Sequence, residues 1–357
     1  MYIPVDFQSS TPAYMQIYSA VREKIAEGAF EYGFRLPSKR SLSADCGVSV
    51  ATVEHAYSLL CDEGLCETRE RSGVYVIYSI DTDFPATVVQ KVPHFQSTEK
   101  TVSEANIPFS SFARRMRRVL SEYGEYLLMK SENSGSIELR GAICRYLMRS
   151  RNIKVRPEQV VIGSGAEYLY GLCIQMLGSK KIALENPSYE KIKAVYTANG
   201  AECELLEMDG EGIKTSELEK TSSAVLHVTP FRSFPTNITA SAERREEYIR
   251  WAVSRSAVII EDDYSSEFLV NGKAPETLFS MCPELVIYIN TFSKTIAPSI
   301  RAGYMLLPES MISLYTEKIG FYSCTVPMLE QYFLADLIDS GEFERNINRV
   351  RHKNTAL

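Results

Sequence analysis

Lys294 stands in the run Thr291-Phe292-Ser293-Lys294-Thr295-Ile296-Ala297-Pro298-Ser299-Ile300-Arg301. It follows one hydroxyl by three residues and a second by one, and it precedes an arginine by seven. A neutral amine condenses with an aldehyde to form an imine. The planar guanidinium suits phosphate oxygens, and the hydroxyls of Thr291 and Ser293 can help hold an anion. An aldehyde with a phosphate tail would satisfy both groups.

Other residues upstream in the chain extend this chemistry. Val161-Ile162-Gly163-Ser164-Gly165-Ala166-Glu167 passes from an apolar strand into a helix. Ser164, Gly165 and Ala166 there let free N–H groups approach a phosphate, although such turns also serve as plain tight connections. Tyr189, after Glu185-Asn186-Pro187-Ser188, can lie on an aromatic ring or simply pack. In Glu261-Asp262-Asp263-Tyr264, the Asp262 carboxylate can pair with a protonated pyridine nitrogen, and Tyr264 can donate to a ring oxygen. Asp262 also reads as a helix N-cap or a solvated loop acid. Cationic and apolar surroundings are expected to favour the neutral, nucleophilic form of Lys294. Lys294, Asp262 and Tyr264 are thus candidate catalytic residues. With Ser164, Gly165, Ala166, Tyr189, Thr291, Ser293 and Arg301 they form a candidate site for pyridoxal 5′-phosphate (PLP). No metal site is expected.

These residues need a scaffold. Short apolar segments occur at residues 160–162, 182–184, 224–228, 257–260 and 285–289, mostly separated by helical patterns. Near-continuous apolar strands between helices indicate an α/β domain with a mostly parallel sheet covered on both faces. Ligands in such sheets bind at the carboxyl ends of the strands, where every candidate above lies. Helices are expected around Phe112, Met116, Val119 and Leu120, and around Ile137, Leu139, Ile143, Tyr146 and Leu147. This domain is assigned to residues 108–357.

Residues 1–80 read differently. A first helix, about Pro12 to Glu27, carries Ile17, Val21 and Ile25 at four-residue spacing. Ser38 and Ser49 are candidate N-caps for two further helices, with Gly47 between them and Gly64 after. Two short strands flank Arg69, Glu70, Arg71, Ser72 and Gly73. The pattern predicts a winged helix-turn-helix. Ser38, Lys39 and Arg40 would sit at a helix start able to hold a phosphate. Thr52 and His55 would face the major groove, the capping Ser49 is a further candidate DNA contact, and Arg69, Arg71 and Gly73 form the wing. The domain holds seven basic and ten acidic residues, so its cations could also be merely solvated, the fold could dock protein, and His55 could be a plain surface residue.

Residues 81–107 lack periodicity, contain Pro85 and Pro93, and read as a tether. The chain's net charge of −6 gives no global signal for nucleic acid. No apolar run is long enough to span a membrane, and the N-terminus lacks a signal-peptide pattern. Eight scattered cysteines suit a reducing cytoplasm.

The layout Leu36-Pro37-Ser38-Lys39-Arg40-Ser41-Leu42, Gly47-Val48-Ser49, Glu63-Gly64 and Gly73-Val74-Tyr75-Val76 resembles the GntR family of winged-helix repressors. The later motifs resemble fold-type I PLP enzymes, the aspartate aminotransferase group. Together, and with Ser134-Gly135-Ser136-Ile137-Glu138-Leu139-Arg140, they resemble the MocR subfamily, in which a winged helix is tethered to an aminotransferase-like domain. That resemblance implies a homodimeric transcriptional regulator binding operator DNA. Its effector would be an amino compound forming an external aldimine in place of Lys294. The alternative is an aminotransferase with an accessory head. Four departures stand out. Val50 replaces the usual arginine after the helix-capping serine. Arg232-Ser233-Phe234-Pro235-Thr236-Asn237 replaces a His-Gln-aromatic-Pro-Thr-Gly loop. Lys191 stands where an effector-contacting arginine is expected. The chain also stops at Leu357, where the resemblance leads one to expect a further small domain with a carboxylate-gripping arginine. Weak turnover and an exposed apolar face are therefore expected.

Overall fold

The computed structural model describes residues 3–79, 106–178, 181–269 and 276–355, with side chains described as far as 351. It divides into two compact units, Met1–Lys100 and Thr101–Leu357. Most of the tether read at residues 81–107 lies outside the described residues. Its last two residues belong to the second unit: the Asn106 N–H donates to the Ile296 carbonyl at 2.7 Å, and Ile107 is buried in the core.

In the first unit the Ala13–Ala26 helix buries Ile17, Val21 and Ile25, the stripe that recurs once per turn. The Lys39–Cys46 helix begins at Ser38, whose hydroxyl accepts the Ser41 N–H, and ends at Gly47 with φ 67°. The left-handed backbone there suits glycine. The Val50–Asp62 helix is capped by Ser49, which accepts the Thr52 N–H, and it buries Val53, Ala56, Tyr57 and Leu60. Fully burying a side chain such as Val53 or Leu60 contributes about 1.5–3 kcal/mol. Strands β1 (Cys66–Arg69) and β2 (Gly73–Val76) pair antiparallel, with Arg69 opposite Gly73. One brace was not foreseen: Arg35 bridges Tyr75, and the Leu36 N–H donates to the Val74 carbonyl at 2.9 Å.

Among the described residues the second unit is built on eight strands. They are β3 (Val160–Gly163), β4 (Lys181–Asn186), β5 (Glu202–Asp209), β6 (Gly212–Ile213), β7 (Val225–Val228), β8 (Val258–Asp262), β9 (Val286–Thr291) and β10 (Gly303–Leu306). Their order is β3-β10-β9-β8-β7-β4-β5-β6. The β5, β4, β7, β8 and β9 strands are mutually parallel, whereas β10 runs antiparallel to both β3 and β9. Strands β5, β6 and β10 were not foreseen. Half of the β5 residues are acidic and only Leu206 is buried in it, while β6 and β10 are short.

Alternate residues of the central strands serve two cores. On β9, Val286 and Tyr288 enter one cluster and Ile287 and Ile289 the other. Helices cover both faces, among them Phe109–Tyr123, Ile137–Arg151, Ala166–Leu177 and Met328–Asp339. Two residues read as apolar-face positions, Leu120 and Ile137, are instead exposed. Leu120 sits near the end of its helix and Ile137 is the first residue of its own.

Candidate functional site

Because β10 returns antiparallel between β3 and β9, its first residue meets the last residues of both: Gly303 pairs with Gly163 and with Thr291. The turn carrying Lys294 and Arg301 joins β9 to β10, so it lies at the carboxyl end of the parallel strands. The segments after β3, β4, β7 and β8 leave from the same end. They enclose a pocket of about 370 Å³ lined by Ala166, Tyr189, Asp262, Tyr264, Thr291, Ser293, Lys294 and Arg301, all foreseen from the sequence. Glu167, Tyr170, Ile192, Thr229 and Phe234 complete it. The signals for some of these were local. Glu167 follows Ala166, and Tyr170 lies one helical turn beyond it on the same face. Thr229 simply follows β7.

Asp262 ends β8 and is buried, so it is neither an N-cap nor a solvated acid. Its Oδ2 accepts the Tyr170 hydroxyl at 2.5 Å, while Oδ1 has no partner. Burial pushes its carboxyl up to about 7, against the lowering pull of the Tyr170 hydrogen bond. The flanking acids go elsewhere, as strand alternation requires. Glu261 accepts the Leu278 and Phe279 N–H groups at 2.9 and 2.8 Å. Asp263 meets the Arg151 guanidinium at 3.3 Å and the Tyr288 hydroxyl at 2.9 Å. Beneath the pocket, Tyr196 Oη and His227 Nδ1 are 2.6 Å apart, and burial drives His227 down to about 3, so its ring is neutral. Glu185, pushed up to about 8 by burial, accepts the Ser233 hydroxyl at 2.6 Å and the Thr229 N–H at 3.1 Å, pinning the 229–237 loop.

Several expected roles change. The Tyr264 hydroxyl donates to the Arg232 carbonyl at 2.8 Å, so its single proton is already engaged. The Ser293 hydroxyl donates to the Ile300 carbonyl at 2.8 Å and braces the turn that carries Arg301. Ser164 is outside the pocket lining, and its N–H donates to Thr325 Oγ1 at 3.1 Å. The Gly165 N–H donates back to the Gly163 carbonyl at 2.8 Å. Gly165 acts through shape: its φ is +95°, and a Cβ there would stand 3.2 Å from Arg301 Nη2. The N–H groups turned outward are those of the first helical turn from Ala166 onward. Lys294 is exposed, its Nζ 5.9 Å from the Tyr264 ring centroid, so the apolar enclosure expected around it is absent. Tyr189 meets Phe234 edge-on at 5.8 Å, one ring in the pocket wall.

In the first unit the candidate nucleic-acid contacts divide by partner. Lys39 is paired with Glu54, and Arg69 Nε donates to Glu67 at 2.6 Å while lying over Tyr75. Thr52 Oγ1 is 2.8 Å from the Ser49 hydroxyl, and His55 is stacked on Tyr14 at 4.1 Å. Gly73 starts β2, close to the Arg35 guanidinium. Arg71 is almost fully exposed at the wing tip, and Arg40 is exposed with no side-chain partner among the described residues. Val50 is exposed as well. Among the described residues no helix is long and apolar enough to cross a membrane, and no group of acids, histidines or cysteines could hold a metal ion.

The fold and pocket define an aminotransferase-like α/β unit joined to a winged helix-turn-helix head. Two family descriptions match: "Bacterial regulatory proteins, gntR family" over residues 13–76, and "Aminotransferase class I and II" over residues 108–356. Among relatives, the HTH-type transcriptional regulator YdeL of Bacillus subtilis (strain 168) is 33% identical, over 95% of this chain and 76% of its own length. The pyridoxine biosynthesis regulator PdxR of Corynebacterium glutamicum is 27% identical, over 94% and 75%. The probable rhizopine catabolism regulator MocR of Rhizobium meliloti is 26% identical, over 97% and 76%. Among solved structures, an archaeal alanine:glyoxylate aminotransferase superposes with TM-score 0.62 at 23% identity, over 67% of this chain and 62% of that one. Pyrococcus horikoshii kynurenine aminotransferase gives 0.63 at 20%, over 77% and 73%. At these identities the structural likeness is one of fold. The chain belongs to the aminotransferase class I and II family and, through its gntR-family head, to the MocR-like subfamily of HTH-type regulators.

Proposed function

We propose that this protein is a DNA-binding transcriptional regulator whose second unit holds PLP at Lys294 and responds to a small amino compound. The observation that carries the reading is Asp262 Oδ1, a buried carboxylate oxygen without a partner in a pocket that also presents Lys294 and Arg301. An unpaired buried acceptor is costly, and a pyridinium N–H is a donor of the right kind. The donor set fits the rest of the group. Arg301 and the first amides of the Ala166–Leu177 helix suit its phosphate, and the Tyr189 ring offers an apolar face to its plane.

When bound, PLP supplies an electron sink for an amine's α-carbon. The protein's own residues do the remainder. Lys294 offers the amine nucleophile and can take or return a proton at the neighbouring carbon. Asp262, ionised by such a partner, keeps a proton on the ring nitrogen, and Tyr170 fixes its orientation. Tyr264 is a positioning residue held by the Arg232 carbonyl.

In the head, Arg40 and the amides of the helix that begins at Lys39 would meet phosphates. Thr52 and His55 would face the major groove, with Arg71 and Gly73 in the wing. Ser38, Ser49, Lys39 and Arg69 support these contacts, two as caps and two as paired cations. A homodimer would place two heads on operator DNA, and effector capture would alter operator affinity by linkage. The same pocket would serve an aminotransferase. Turnover of amino and oxo acids, with no effect of amines on DNA affinity, would favour that second reading.

The deciding experiment incubates the full chain with PLP and fixes the product with borohydride. A mass increment on the Lys294 peptide, absent in Lys294→Ala, is expected. An unmodified Lys294 peptide overturns the assignment.

A further inference from the structure

Glu167 places a negative charge where the proposed phosphate site should be positive. One oxygen of its carboxylate is 3.1 Å from Lys191 Nζ, and the other is 3.6 Å from Arg301 Nη2. A single acid is thus divided between two cations at the pocket mouth. All three side chains are partly solvated, with relative exposures of 38% for Glu167, 61% for Lys191 and 55% for Arg301. Exposed pairs of this kind are weak and readily exchanged. Arg301 also lies against Gly165, at the start of the helix whose first amides face outward. Lys191 sits 5.8 Å from the Tyr189 ring centroid and meets the other Glu167 oxygen from the one nearest Arg301.

We propose that Glu167 competes with the cofactor phosphate for Arg301, and that Lys191 draws the carboxylate aside when phosphate binds. The inference rests on the PLP reading above. A phosphate monoester carries about −1.5 to −2 charges at neutral pH. The single positive charge of one guanidinium cannot neutralise both it and Glu167. Capture therefore requires Glu167 to give up Arg301 and keep Lys191. The exchange lowers affinity for the phosphate end while leaving the aldehyde chemistry at Lys294 untouched. PLP becomes an exchangeable ligand of this pocket. A carboxylate in the first turn of a helix also favours the helix itself, so the test must separate that role from competition.

The test titrates the full chain with PLP and with pyridoxal, which has the same aldehyde and no phosphate, and follows the absorbance of the bound aldehyde. Glu167→Gln is expected to tighten PLP by about tenfold, the scale of removing one like charge near a partly solvated site, and to leave pyridoxal within about twofold. Lys191→Met is expected to weaken PLP severalfold in the wild-type background and to have no effect beside Glu167→Gln. Thermal melts of each variant identify any loss of folding. An unchanged or weaker PLP affinity in Glu167→Gln overturns the proposal, as does equal tightening of both aldehydes. If wild-type protein captures neither aldehyde, the cofactor reading itself fails, and this inference falls with it. Capture of pyridoxal together with a failed Glu167→Gln response removes only the inference.

Discussion

Tyr170 and Asp262 are joined by a 2.5 Å hydrogen bond in which the phenol donates to Oδ2 and leaves Oδ1 buried without a partner. Asp262 ends a strand and Tyr170 lies on the first turns of a helix 92 residues earlier. The bond sets which carboxylate oxygen a ligand can meet. Tyr170→Phe removes a donor that lowers the Asp262 pKa, so Asp262 should titrate still higher. Charged hydrogen bonds are worth about 1.5–3 kcal/mol, so PLP affinity should fall roughly tenfold or more. A PLP titration across pH checks this; an unchanged profile would show the phenol to be idle.

Stability should depend on pH through the buried acids. Burial raises Asp262 and Glu267 to about 7, and Glu185 and Glu261 to about 8. Folded values above unfolded ones mean that these groups stabilise fully below about pH 4, and that this is lost as pH rises toward 7–8. His227, lowered to about 3, acts in the opposite sense, losing stability as pH falls from about 6.5 toward 3. Without PLP, Asp262→Asn should raise the melting temperature at pH 8, by a few kcal/mol of unfolding free energy on the order expected from the shift, and change little at pH 4. With PLP added, the same substitution should lower it. Calorimetry at the two pH values gives the comparison.

Gly165→Ala should injure both fold and site. At φ +95° any Cβ is strained, at about 1–2 kcal/mol, and this one would press on Arg301. A lower melting temperature together with weaker capture of PLP than of pyridoxal is expected. Equal loss on both aldehydes would place the damage elsewhere.

In the head, Arg40 has no side-chain partner among the described residues and Arg71 is almost fully exposed with only Glu70 nearby, at 3.9 Å, whereas Lys39 and Arg69 are held by Glu54 and Glu67. Arg40→Ala should weaken DNA binding at all sequences and reduce the salt slope by about one. Lys39→Ala should do less, because Glu54 already offsets its charge. Gel-shift titrations at several salt concentrations measure both, and a slope unaltered by Arg40→Ala would remove it from the interface.

Much of this molecule was legible in the chain. Serine caps, glycine stops and a four-residue apolar stripe defined the three head helices, because those signals act over one or two turns. Apolar runs marked five strands and their direction. Fully buried strands need such runs whatever lies beside them. The candidate lysine, acid and arginine, and the order of the loops that carry them, were equally local in character. Tertiary structure alone decided the rest. Strand β10, short and unmarked, turns back between β3 and β9 and thereby sets Arg301 against Gly165. The partners that redirect Tyr264, Ser293 and Ser164 come from residues 7 to 161 positions away. Which side chain finds a free proton, and which is already engaged, depends on distances across the sheet ends. Spacing along a chain carries no information about those distances.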